Sequence, residues 1–325
     1  MKPVDKSDIG RSFFRGEGGV QFNPYKGDYH DPNFTQEYIF KGWIPKERFI
    51  KSTTNITSFG SCFIGHILRF LKKFGFNIVN KKTPNIYINN VGAGMANVYS
   101  IYQQFEWALE NKKVTDGLWH DADVNDYGVS EEVRLNTRDV FLNTEVFIFT
   151  VGVSEVWYDI ETKESFWRAV PKDKYDASKH KFRVLSMSET KDTLNKLYDT
   201  IKKHIPNSKV IIAIGPAPYA ATFRPISCVS ANSAGKAILR ASVDEFMREN
   251  KDLGTSLFYF PCYEFIPFFP DPYENDGRHV REEIIRVVMK AFEVLYCDTD
   301  ARWEDVELAF KKETKRNQQL EKNIL

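Results

Sequence analysis

The run Val146-Phe147-Ile148-Phe149-Thr150-Val151 is the feature that most restricts how this chain can fold. Six β-prone residues with no apolar/polar alternation suit a strand covered on both faces, as in a parallel sheet, and not a strand with one wet side. Gly152 ends it. Comparable short runs stand at Asn55–Phe59, stopped by Gly60-Ser61, at Val210–Ile214, stopped by Gly215-Pro216, and at Leu257–Phe260 before Pro261. A further strand is expected at Asn77–Val79.

Segments of helical period lie between these runs: Ile64–Leu71, Met95 to about Glu110, Ser188 to Pro206 with Leu194, Leu197, Tyr198 and Ile201 on one face, Ser233–Asn250, and Arg281–Leu295. The order βαβαβαβαβα predicts a flavodoxin-like three-layer α/β/α sandwich around a central, mostly parallel five-stranded sheet. Ligands of such a fold bind outside the carboxyl ends of the strands. Ser154 to Val170 reads as a hairpin-like excursion, and the acidic, unpatterned stretch Thr115–Thr137 as a loop or lid. Residues 1–50 read as an arm packed on the domain, 51–300 as the domain, and 301–325 as a charged helix. Its apolar set Trp303, Val306, Leu308 and Phe310 suits docking on the domain or on a partner, so an oligomer formed through this helix is one reading.

Forty-five basic against 44 acidic residues give a formal charge of +1, so no overall field draws nucleic acid or an anionic membrane. Met1–Gly19 carries charges throughout and no apolar core of a secretory signal, and no later stretch is long and apolar enough for a membrane span. Cys62, Cys228, Cys262 and Cys297 are widely spaced with no C-x-x-C pair, as expected of buried free thiols in a reducing cytoplasm.

Three segments fall where this fold places a site: Gly60-Ser61-Cys62-Phe63, Gly152-Val153-Ser154, and Asp276-Gly277-Arg278-His279. A serine in a strand-to-helix turn can present its hydroxyl at the sheet edge, beside backbone N–H groups that stabilise an oxyanion. Ser61 also fits a helix cap, and Asp276 with His279 fits the start of a helix. Taken together, D-x-x-H lets one carboxylate hold one imidazole nitrogen while the other faces the serine, which is the logic of nucleophile, base and orienter. Cys62 is the rival nucleophile. One of two neighbouring side chains must face the core, and the cysteine beside Phe63 suits that role better. His66, on the first helix, reads as a structural histidine. Trp157, Tyr158, Trp167 and Arg168 can wall a sugar or acyl site, and Lys236 with Arg240 at i, i+4 can hold an anion.

Phe59-Gly60-Ser61-Cys62-Phe63, Phe166-Trp167-Arg168 with Val170-Pro171, Phe182–Ser186, Gly215-Pro216-Ala217-Pro218, Ser230-Ala231-Asn232-Ser233 with Lys236 and Leu239-Arg240, and Phe260–Glu264 together resemble the GSCFA domain family, from about residue 50 to about 295. The resemblance implies a member of the SGNH (GDSL-like) hydrolase superfamily, with Ser61 as nucleophile and Asp276 and His279 as its partners. It also implies an oxyanion hole completed by a second-block glycine, for which Gly92 and Gly94 are candidates, and by a third-block asparagine. Here Ser154 stands at the asparagine position, and Asn90 or Asn232 is the alternative source of an amide. The expectation is a serine esterase or O-acyltransferase acting on an acyl ester, with a small molecule or glycan as substrate and no cofactor or metal. The competing expectation is a binding protein that keeps the pocket without turnover.

Overall fold

The computed structural model describes residues 20–60, 62–79, 86, 97–115, 117–119, 130–167 and 169–324, with side chains as far as residue 315. Four strands form the central sheet: β1 (Ile56–Gly60), β2 (Val146–Val151), β5 (Lys209–Ile214) and β6 (Leu257–Phe260), in the order β1-β2-β5-β6 and parallel throughout. The register runs Gly60 beside Thr150, Val151 beside Ile214 and Ala213 beside Phe260, so all four carboxyl ends come to one edge. Among the described residues the sheet has four strands and not the expected five. The segment at Asn77–Val79 reduces to a single parallel bridge, Ile78 to Ile56, with the Asn77 carbonyl 3.0 Å from the Ile56 N–H.

The unbroken apolar runs are explained by the layers. Successive side chains of a strand point to opposite faces. Val146 and Ile148 enter the core made with α1 (Cys62–Lys73) and α7 (Glu282–Tyr296), whereas Phe147, Phe149 and Val151 enter the core made with α2 (Val98–Glu110), α3 (Glu131–Leu142), α4 (Met187–His204) and α5 (Cys228–Glu249). A strand sandwiched between two cores has no polar face.

Two sequence expectations change. Residues 131–137, expected in a loop, open α3. The face that α3 buries carries Arg134 and Thr137 beside Val140 and Phe141, which hides the helical period. Arg134 is accommodated by donating to Glu131 and to the Ala108 carbonyl, 3.1 Å away. The excursion after β2 is longer than expected: β3 (Glu155–Asp159) bridges antiparallel to Ser165 within 154–170 and, on its other edge, pairs antiparallel with β4 (His180–Val184). The short helix α6 (Cys262–Phe265) follows β6.

The C-terminal helix α8 (Trp303–Ile324) lies on the first core, with Val306 and Phe310 fully buried and Phe310 stacked on Phe34 at 5.2 Å. Glu307 fixes the N-terminal segment to it, its carboxylate accepting from the Thr35 N–H at 2.6 Å and the Thr35 hydroxyl at 2.8 Å. Val306 and Phe310 are thus spent within the chain, while Leu308 is exposed. Among the described residues no helix is long and apolar enough to cross a membrane.

The end of β1 depends on one glycine. Gly60 has φ +139°, and a Cβ there would lie 2.1 Å from Thr150 Oγ1 and 2.2 Å from the Thr150 carbonyl oxygen. Gly60→Ala should therefore force β1 and β2 apart and cost on the order of 3 kcal/mol, read as a lower urea midpoint by circular dichroism. Wild-type stability in this variant would contradict the close approach.

Candidate functional site

The loop 273–280 is a tight hairpin. Tyr273 and Val280 bridge antiparallel, and Glu274 N–H donates to the His279 carbonyl at 2.7 Å. Gly277 turns the chain with φ +67°, a conformation that favours glycine. Inside the turn the Asp276 carboxylate is surrounded by donors: Oδ1 accepts from the backbone N–H groups of Arg278 and His279, both at 2.9 Å, and Oδ2 meets His279 Nδ1. The two backbone hydrogen bonds, foremost that of His279, together with the imidazole, hold the Asp276 carboxyl down to about 2. It is therefore a carboxylate at any working pH, and Nδ1 must carry the proton it receives. That leaves His279 Nε2 with a lone pair, the form a general base needs. Asp276 is not the cap of α7, which starts six residues later at Glu282.

This dyad lies beside the first helix. His66 Nδ1 is 4.0 Å from Glu282 Oε2 at the start of α7 and accepts from Arg69 Nη2 at 2.7 Å. Burial, then the Arg69 charge, then that of His279 press His66 down to about 4, so it is a neutral imidazole at pH 7. Ser61 falls between Gly60, the last residue of β1, and Cys62, the first of α1; Ser61 itself lies outside the described residues, as do Asn90, Gly92, Gly94 and Arg168. Cys62 departs from expectation. It is half-buried and lines a cavity, while Phe63 and Ile64 fill the core behind it.

That cavity, about 440 Å³, opens at the carboxyl edge of the sheet. Cys62 and Arg278, the sequence neighbours of Ser61 and His279, stand in its wall, as do the predicted Trp157 and Trp167. Trp167 is buried and stacks on Trp119 at 5.0 Å, so its ring serves packing as well as the wall. Trp157 is half-buried between Phe182 and Phe223. Tyr158 lies apart from the cavity, its ring 5.5 Å from the Arg183 guanidinium.

The remaining predicted residues hold the edge together. Ser154 is fully buried; its N–H donates to Tyr219 Oη at 2.9 Å and its hydroxyl lies 3.3 Å from the same oxygen. Asn232 Oδ1 accepts from the Tyr219 N–H at 3.1 Å. Gly235 is needed beneath this pair, since a Cβ would sit 2.0 Å from Tyr219 Oη. Lys236 and Arg240 do not face a common anion. Lys236 Nζ is buried and donates to the Gly152 carbonyl at 2.9 Å and the Gly215 carbonyl at 2.5 Å. Arg240 pairs with Glu264 at 2.5 Å and Asp244 at 3.3 Å and covers the Tyr259 ring.

Sequence reasoning missed Asn97, Tyr219 and Arg278, all of which line the cavity. The Pro216–Pro218 turn gave a loop signal before Tyr219, but a tyrosine whose hydroxyl meets a backbone N–H 65 residues away carries no local signature.

Burial lowers the Lys236 amine to about 8. A neutral amine has two N–H donors for its two carbonyls, which matches the geometry. Between about 8 and the usual lysine value of about 10.4 the unfolded chain binds more protons than the folded one, so stability rises with pH there and is flat below. The stability difference between wild type and Lys236→Met, followed by urea unfolding from pH 7 to 10, should grow in favour of wild type above about pH 8. A difference independent of pH would contradict a depressed lysine.

The GSCFA family model matches residues 55–292. Among solved structures, a carbohydrate esterase family 3 protein from Talaromyces cellulolyticus is similar at 10% identity and TM-score 0.35, covering 74% of this chain and 94% of that one. A putative GDSL-like lipase from Parabacteroides merdae ATCC 43184 is similar at 11% identity and TM-score 0.38, covering 82% of this chain and all of the other. No curated protein matches.

Proposed function

The chain belongs to the GSCFA family, and from that premise we propose that it is a serine-dependent acyl-transfer enzyme, an esterase or O-acyltransferase, in which Ser61, His279 and Asp276 form the catalytic line. The observation that carries the reading is the Asp276–His279 contact, which sets the imidazole tautomer at the sheet edge where β1 hands over to α1.

In this mechanism Ser61 Oγ attacks the ester carbonyl as its proton passes to His279 Nε2. The tetrahedral intermediate collapses, and the alcohol leaves with the proton from His279. Water or a second hydroxyl then attacks the acyl-enzyme, giving its proton to His279, and Ser61 Oγ departs and is reprotonated. Asp276 remains a carboxylate throughout and stabilises the imidazolium that forms twice in the cycle. The Ser154 hydroxyl is buried 3.3 Å from Tyr219 Oη, and its N–H donates to the same oxygen, so in this reading the donors come from backbone N–H groups at the start of α1 and from the second block.

Hydrolysis of p-nitrophenyl esters tests the proposal. Ser61→Ala should lower kcat at least about 10³-fold, and Asp276→Asn, which leaves the wrong tautomer favoured, by on the order of 10³–10⁴. Equal rates in wild type and Ser61→Ala would refute it, and loss in Cys62→Ala with activity kept in Ser61→Ala would move the nucleophile one residue along the chain.

A further inference from the structure

The 440 Å³ cavity has the wrong chemistry for a sugar ring and the right chemistry for hydrocarbon. It falls within the roughly 300–1,000 Å³ of small-molecule pockets. Its apolar wall includes Val156, Trp157, Phe166, Phe182, Ala217 and the exposed Phe223. Several polar groups of the wall are engaged within the protein, while the Trp157 indole N–H stands without a partner. Both Glu155 oxygens accept from the Thr222 hydroxyl, at 2.8 and 3.0 Å, Arg278 Nε donates to the Pro218 carbonyl at 3.2 Å, and Asn97 Oδ1 accepts from the Ser100 N–H at 2.8 Å. A sugar ring taken into such a wall would give up the bonds of several hydroxyls to water against few replacements, the Trp157 indole N–H among them. An alkyl or aryl chain gives up nothing and gains burial.

The rings themselves favour the same occupant. Trp157 meets Phe223 at 5.0 Å and 86°, Tyr175 at 5.8 Å and 86°, and Phe182 at 5.6 Å and 55°. These are edge-on and tilted contacts that build a cage around Trp157 and leave no isolated flat platform of the kind on which a sugar ring stacks.

We infer that this cavity is the acyl subsite and that it takes an apolar acyl group of medium length, extending from Cys62 and Arg278 at the catalytic end to Trp157 and Phe223. The inference rests on the triad reading for its orientation but not for its chemistry. The glycan expected from the sequence is then placed on the alcohol side of the ester, outside the cage.

Each methylene buried is worth about fourfold in binding or in kcat/KM. Wild type should therefore hydrolyse p-nitrophenyl octanoate with a kcat/KM at least about tenfold above that for the acetate. Ala217→Phe, which fills the cavity, should bring that ratio close to one. The separate readout is calorimetric titration with free octanoate and free butyrate, which needs no turnover. Octanoate should bind at least about tenfold more tightly than butyrate, and Trp157→Ala as well as Ala217→Phe should erase the difference while circular dichroism shows both variants folded. Ser61-dependent turnover that favours acetate would overturn the subsite and leave the triad standing. Chain-length-dependent binding without Ser61-dependent turnover would sink the triad and leave the subsite. Equal binding of the two acids would end the inference whatever the turnover.

Discussion

A parallel sheet leaves backbone carbonyls unsatisfied where its strands stop, and the site depends on how this chain meets that need. Lys236, reaching up from α5, bonds the carbonyls of Gly152 and Gly215 just beyond β2 and β5. The Gly215 N–H in turn bonds the Val151 carbonyl at 2.7 Å. Together these fix the two central loops against each other at the edge where β1 also ends. A buried lysine with two carbonyl acceptors supplies that clamp, the carbonyl dipoles offsetting part of the cost of burying it.

The same edge explains why short motifs scattered over more than 200 residues occur in one chain. Ser154, Tyr219 and Asn232 form one hydrogen-bonded knot packed against Gly235, and Arg240, Tyr259 and Glu264 form another one turn along α5. Most of the residues that sequence reading would assign to ligand binding are therefore supports. They hold loops in place so that the Asp276–His279 hairpin and the start of α1 can face a common cavity.

Much of this was legible in the sequence, for identifiable reasons. The strands at 146–151 and 257–260 match the expected bounds because a doubly covered strand must be apolar on both faces, and no other element of that length is. The Asp276–His279 contact was legible because both partners lie in one turn. What stayed hidden depends on distant partners. The α3 helix buries Arg134, made tolerable by its pair with Glu131 and its bond to the distant Ala108 carbonyl, and β4 is half-buried along most of its length, so it shows no alternation. Lys236 looked like an anion binder because its carbonyl acceptors stand 84 and 21 residues away.

The central claim is that Ser61 is a nucleophile activated by a histidine whose tautomer Asp276 fixes. Its most direct test is treatment of the folded protein with a fluorophosphonate, followed by peptide mass spectrometry. The account predicts a single adduct on Ser61 that disappears in His279→Ala. An unlabelled Ser61 in protein shown to be folded, or an adduct carried by Cys62 instead, would contradict it.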